Sequence, residues 1–286
     1  MERPLTGQRA LVTGGGSGIG LASAAALVAD GASVTLMGRT AEKLEAAAAT
    51  LREQAPAGAD VATFAGDVTV EADVLAAVEA AAGPDGALHL CVAAAGDGTV
   101  GPMAVMPGAE WQRVLDVSLT GVFFTIKSAA ASMMRAGVPG SIVAISSLAG
   151  SVTHRWMGPY CVAKAGVDMM VKVCADEMGV AGIRVNGVAP GIIATDLVAM
   201  ITPEGEVGQS YLRESPLSRF GEVSDVAPLV RFLCGPESGH ITGTVVPVDG
   251  GHHLRSGPDY GEFARMLYGD AVDGDLGPAA QTVDAG

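Results

Sequence analysis

Basic residues are scarce in this 286-residue chain: 17 Lys and Arg stand against 31 Asp and Glu, giving a net charge of −14. No basic run is available to displace counterions from a phosphate backbone, so nucleic acid is not an expected partner. The four cysteines, at 91, 161, 174 and 234, lack the paired spacing of a zinc site or a disulfide framework. Each lies among apolar neighbours and reads as a small buried thiol, and no metal site is expected. No uncharged apolar run reaches about 18 residues, so no membrane span is expected. No charged segment followed by an apolar one opens the chain, so no secretory signal is expected either. The chain therefore reads as cytoplasmic. Internal repeats are absent, and no linker interrupts the sequence before about residue 255. Residues 1–255 are expected to form one domain, because a hydrophobic content of 49% supports one sizeable core. Residues 256–286 form an acidic, Gly- and Ala-rich tail to which no chemistry is assigned.

What is present is a regular alternation of strand and helix patterns. Residues 9–13 form a short apolar strand, followed by Gly14-Gly15-Gly16-Ser17-Gly18-Ile19-Gly20 and an Ala/Leu-rich helix ending near Asp30-Gly31. Further strands are expected at 33–37, 61–65, 88–94, 141–145, 183–189 and 245–248. Helices are expected at 41–54, 69–82, 110–136, about 159–179 and 225–234, with an irregular region near 195–220. This order implies an α/β fold with a doubly wound parallel sheet covered by helices on both faces. Ligands of such sheets sit beyond the carboxyl ends of the strands. Gly14–Gly20, Asp67, Ala94–Gly96, Ser147 and Pro190–Gly191 all fall there. A glycine cluster is more often a turn than a cofactor loop. Placed after the first strand and opening a helix, this one suits a pyrophosphate: the chain turns sharply, and backbone N–H groups at a helix N-terminus face the anion.

Downstream, Ser146-Ser147 ends a buried strand and Pro159-Tyr160-Cys161-Val162-Ala163-Lys164 opens a helix. Tyr160 and Lys164, four apart, share a helix face. A phenol titrates ordinarily near pH ~10. A neighbouring ammonium favours the phenolate, which predicts a lowered pKa for Tyr160 and a role as general acid/base. Ser147 can hydrogen-bond a substrate oxygen beside it. Tyrosine and lysine at this spacing are in most proteins an ordinary surface pair, and the weight of the motif comes from the glycine turn upstream.

Together these residues resemble the short-chain dehydrogenase/reductases, NAD(P)-dependent oxidoreductases on a single Rossmann-like domain. The matching positions are Thr13-Gly14-x-x-x-Gly18-x-Gly20, Asp67-Val68, Ser147 thirteen residues before Tyr160, Tyr160-x-x-x-Lys164, and Pro190-Gly191 followed by Thr195. The resemblance covers about residues 5–252. It implies that Tyr160 is the general acid/base, that Lys164 binds the nicotinamide ribose, and that Ser147 orients the substrate oxygen. It implies nucleotide contacts from Gly14, Ser17, Gly18, Ile19, Gly20, Arg39, Asp67, Val68, Ala94 and Gly96. Pro190, Gly191, Ile193 and Thr195 would meet the nicotinamide carboxamide. Asp67 would bind the adenine amino group, although an Asp near a helix start also caps. Two departures stand out. The family's Asn-Asn-Ala-Gly is here Ala93-Ala94-Ala95-Gly96, and its relay asparagine is Ser118, whose hydroxyl is a shorter holder of a water. An altered but active relay is expected.

Ribose selection falls at Leu36-Met37-Gly38-Arg39-Thr40. No acid stands there to accept from a 2′-hydroxyl, and Arg39 can pair with a phosphate or stack on adenine. NADP is therefore expected, with NAD possible. Leu197, Val198, Met200, Ile201 and Tyr211, with His154, Trp156 and Met157, either only pack or line an apolar pocket. Only Arg213 and Arg219 are basic in the variable region, which disfavours a multiply phosphorylated substrate. An apolar secondary alcohol or ketone is the expected substrate. The competing readings are a dinucleotide-binding sensor or subunit that has lost catalysis, and an enoyl-thioester reductase. The resemblance further implies a homotetramer.

Overall fold

The computed structural model describes residues 3–255 apart from 85, 196 and 197, together with residue 270. The chain separates into two compact units, Met1–His253 and Leu254–Gly286. Most of the second unit, and so the expected tail 256–286, lies outside the described residues.

The first unit is built on seven parallel strands in the order β3-β2-β1-β4-β5-β6-β7. They are β1 (Arg9–Thr13), β2 (Ser33–Gly38), β3 (Val61–Ala65), β4 (Leu90–Ala93), β5 (Gly140–Ile145), β6 (Ile183–Pro190) and β7 (Val245–Val248). The order reverses between β1 and β4, where Thr13 pairs in register with Ala93. A crevice opens at such a reversal, because the connections on its two sides leave in opposite directions.

Neighbouring residues of one strand belong to different layers, as the period of two requires. Val12, Val92 and Val143 face α1 (Gly18–Ala29), α2 (Ala41–Gln54) and α8 (Val223–Cys234), packing with Leu27, Leu44 and Val230. Leu11, Cys91 and Ile142 face α3 (Glu71–Ala82), α5 (Gly121–Ala136) and α6 (Gly158–Met178), packing with Val78, Ile126 and Val171. The strands are buried on both sides, which explains why they read as unbroken apolar runs.

Three elements differ from the pattern-based expectation. The helix expected over 110–136 is α4 (Gly108–Leu115) continued through a π-helical turn, Asp116–Thr120, into α5. That turn carries Ser118 into the protein, where it is fully buried. The region near 195–220 is not wholly irregular. It holds α7 (Glu206–Glu214), an acid at its first residue and Arg213 in its last turn, as the helix dipole favours. α3 begins at Glu71 because Thr69 bonds back to the Asp67 carboxylate through both its N–H and its hydroxyl. The stretch Gly108–Ala136 is long and apolar enough to cross a bilayer, but half of its most apolar window is buried within the unit, against α3, α6 and the sheet.

Candidate active site

The turn after β1 depends on missing side chains. A Cβ on Gly14, whose φ is +66°, would meet Ala95 N at 2.9 Å, and one on Gly20 would run into the Gly14 carbonyl oxygen. Both clashes are with backbone and cannot be relieved by a rotamer change. Ser17 precedes α1 without a side-chain cap, so the first N–H groups of the helix stay open to the cleft. Gly18 lies opposite Thr195, whose Cγ2 would be 3.4 Å from a Cβ placed there.

The cleft has a volume of about 540 Å3. Gly14, Ser17, Gly18, Ile19, Gly20, Arg39, Asp67, Val68, Ala94, Gly96, Ser147, Tyr160, Lys164, Pro190, Gly191, Ile193 and Thr195 all line it. Leu197, expected beside the substrate, lies outside the described residues, while Val198 reaches the cleft. Thr40, the last residue of the ribose-selecting stretch, and Lys43, which pattern reading passed over, also line it at the start of α2. Arg39 precedes α2 and Lys43 lies in its first turn, so the cleft is bordered by two cations on this side. Neither cation pairs with a carboxylate among the described residues.

Asp67 keeps both roles open. Its Oδ1 accepts from Thr69 N and Thr69 Oγ1, each at 2.9 Å, and its Oδ2 has no partner among the described residues. Oδ2 can therefore accept from an amino group.

The floor of the cleft is the end of β5 and the start of α6. Ser147 Oγ accepts from Ala149 N at 3.1 Å, which fixes the oxygen and leaves its proton free to donate. Lys164 is only 3% exposed and donates from Nζ to the Ile145 carbonyl at 2.8 Å, leaving two of its three protons for a ligand. Gly96 borders the amine, and a Cβ there would touch Nζ at 3.5 Å. Burial pushes the Lys164 ammonium down to about 8, with Asp168 opposing.

Tyr160 departs from expectation. Burial raises its pKa, a side-chain interaction with Ser147 works against the rise, and Cys161 adds to it. Lys164 Nζ sits 5.6 Å from the phenol ring centroid and shares no hydrogen bond with it. Desolvation outweighs the amine because the amine is turned to the Ile145 carbonyl. The phenol is thus kept protonated, as a proton donor requires.

Ser118 also departs from expectation. Its Oγ donates to Asp97 O at 2.6 Å and accepts from Asp97 N at 2.9 Å. The proton is committed to main chain, so this hydroxyl fastens the loop after β4 and cannot donate to a water. Arg113 clamps the same loop, bonding the Asp97 carboxylate and, at 3.1 Å, the Gly98 carbonyl. Cys161 differs from the other three cysteines in being only half-buried, with Sγ accepting from His154 N at 3.4 Å.

A family model described as enoyl-(acyl carrier protein) reductase matches residues 14–253. A short-chain type dehydrogenase/reductase from Mycobacterium ulcerans, of known structure, is 42% identical with a TM-score of 0.85, covering 94% of this chain and 98% of that one. The chain belongs to the short-chain dehydrogenase/reductase family. Among its relatives are the 3-alpha-(or 20-beta)-hydroxysteroid dehydrogenase of Mycobacterium tuberculosis, 37% identical over 88% of this chain and 91% of that one. The levodione reductase of Leifsonia aquatica is 35% identical over 84% of this chain and 92% of its own length. As a short-chain dehydrogenase/reductase, the protein is a nicotinamide-dependent oxidoreductase of the CH–OH/C=O class. The residues present fit such a dinucleotide: the glycine turn lines the cleft, and the uncapped N–H groups at the start of α1 suit its phosphates.

Proposed function

We propose that this chain interconverts a ketone and a secondary alcohol, that Tyr160 exchanges the proton with the substrate oxygen, and that NADP is its preferred cofactor. The observation that carries the reading is the meeting of Ser147, Tyr160 and Lys164 on the floor of the cleft that the Gly14–Gly20 turn opens.

The bound nicotinamide supplies or takes the hydride. The chain's own residues do the rest. Ser147 donates to the substrate oxygen and holds it beside Tyr160. In the reducing direction the phenol gives its proton to that oxygen, and the raised pKa keeps the proton in place until the oxygen gains charge. Lys164 holds the ribose hydroxyls with its two uncommitted protons and stabilises the phenolate left behind. Ser118 keeps the Asp97–Gly98 loop against Tyr160, whose ring lies within 3.6 Å of a Cβ built on Gly98. Arg39, after β2, and Lys43, in the first turn of α2, both line the cleft and pair with no carboxylate among the described residues, which supports the preference for a 2′-phosphate.

Exposed apolar residues recur on one face of α6, at Val162, Met169 and Val173, and on α5 at Phe123 and Met134. These faces support an assembly of copies of this chain, a tetramer by resemblance. The free cysteines support a reducing, cytoplasmic setting.

Tyr160→Phe tests the reading. Turnover of ketones is expected to fall about 10²–10⁴-fold, with dinucleotide affinity, read by thermal shift, unchanged within about threefold. Retained turnover would sink it. The family model's description favours one second reading, reduction of an enoyl thioester. Oxidation of NADPH by crotonyl-CoA in preference to every ketone would establish that reading instead.

A further inference from the structure

Past Tyr160 the dinucleotide cleft adjoins a second hollow of about 520 Å3, the two sharing Ile193. Tyr211 on α7 and His252 after β7 line this hollow, and His154, in the loop before α6, packs against both of their rings. Tyr211 and His252 lie edge to face at 5.5 Å, and His154 is 5.8 Å from Tyr211 and 6.3 Å from His252. The cluster adjoins the chemistry. Tyr211 is within electrostatic reach of Tyr160, and His154 N donates to the thiol of the residue after Tyr160.

The polar atoms of these rings are uncommitted. Tyr211 Oη makes no hydrogen bond among the described residues, and neither does either ring nitrogen of His252. No fully buried side-chain nitrogen or oxygen among the described residues lacks a partner, so these atoms must face open space. His154 Nδ1 sits 3.0 Å from the Val152 carbonyl oxygen. A carbonyl can only accept, so Nδ1 carries a proton, and Nε2 makes no hydrogen bond among the described residues. Polar ring atoms that keep access to solvent and have no protein partner are available to a ligand at no cost in broken hydrogen bonds within the protein. The one guanidinium lining the hollow, Arg219, is held by Asp225, so a substrate carboxylate would find no free cation there.

We propose that His154, Tyr211 and His252 form a recognition wall for a ring-bearing ketone or alcohol that carries a second, uncharged oxygen function several bonds from the reacting carbon. The substrate ring lies against the aromatic faces. Its second oxygen bonds Tyr211 Oη and an imidazole nitrogen. This narrows the expected apolar substrate, and it rests on the reading of Tyr160 as the proton donor.

Two matched pairs test it with NADPH: cyclohexanone against 4-hydroxycyclohexanone, and 2-decalone against a ring-hydroxylated 2-decalone. The wild type is expected to favour the hydroxylated member of at least one pair about tenfold in kcat/KM, the size of one well-placed hydrogen bond. Tyr211→Phe, which deletes one oxygen and keeps the ring, is expected to erase that preference, and His252→Phe to reduce it. Equal turnover of both members of each pair, or equal losses on both in Tyr211→Phe, would overturn the wall and leave the Tyr160 reading standing. No turnover of any of the four ketones, in a protein that NADP stabilises against heat, would overturn the Tyr160 reading and the wall with it.

Discussion

Both ends of the sheet are hollowed, and the larger hollow lies at the end without chemistry. At the amino ends of β4, β5 and β6 a depression of about 830 Å3 is lined by His89, Gly140, Arg184 and His240, among others. Arg184 and His89 there are tied to the main chain, while His240 makes no hydrogen bond among the described residues. Arg184 donates to Gly235 O at 3.1 Å and Ile241 O at 3.3 Å, and His89 Nδ1 accepts from Arg9 N at 3.2 Å. At the carboxyl ends the cleft is smaller, about 540 Å3. There Asp67 Oδ2, two protons of Lys164, the hydroxyl proton of Ser147 and the first N–H groups of α1 are left open. The capacity to bind tracks polar groups held in place without partners. Volume alone does not report it.

The contrast can be broken or sharpened by substitution at each end. The largest effect in this set is expected from Arg39→Ala combined with Lys43→Ala. NADP affinity should fall about 10–100-fold, as two charged partners of a phosphate are lost, while NAD affinity changes by less than about threefold. Thermal-shift titrations with the two dinucleotides read this directly, and equal losses for both would remove the case for NADP.

A smaller effect is expected from pH. Lys164 is half-charged at about 8 and loses its charge above it, so NADP affinity should decline about tenfold as pH rises from 7 to 9, and Lys164→Met should flatten the profile. The same group makes the ligand-free protein more stable across that range. Between about 8 and the ordinary 10.5 the unfolded chain binds more protons than the native one, so its contribution to stability rises with pH. Calorimetry in the absence of ligand separates the two slopes, which have opposite signs.

The smallest catalytic effect belongs to the amino end. Arg184→Met should lower the melting temperature by several degrees, since two hydrogen bonds to half-buried carbonyls are worth about 1–3 kcal/mol together and each kcal/mol moves a domain of this size about 2–4 °C. Its kcat/KM should stay within about twofold. A large loss of activity would mean that the two ends are coupled.

Much of the active end was legible before any coordinates. Gly14–Gly20 and Tyr160-x-x-x-Lys164 are local patterns, and local geometry decides which side of their elements carries them. Strand order was legible only as an alternation, because which strands pair is a matter of long-range contact. The features that escaped were tertiary ones. The direction of the Tyr160 shift depends on a carbonyl, Ile145 O, that draws the amine away from the phenol. The binding of Ser118 to Asp97 needs a π-helical turn that hydrophobic periodicity does not register. α7 is short, nine residues, and its one buried residue is a glycine, so its pattern carries little apolar signal. The pattern of α2 gives no sign that Lys43 stands beside the glycine turn, its Cβ 3.8 Å from a Cβ built on Gly16.

The alternation of Leu11 with Val12, Cys91 with Val92 and Ile142 with Val143 makes the sheet a partition between two separate interiors. A change of side-chain volume at one of these positions is absorbed by a single layer. The layer beneath α1 and α2, which supports the nucleotide, and the layer beneath α5 and α6, whose outer faces are apolar, can therefore be repacked one at a time.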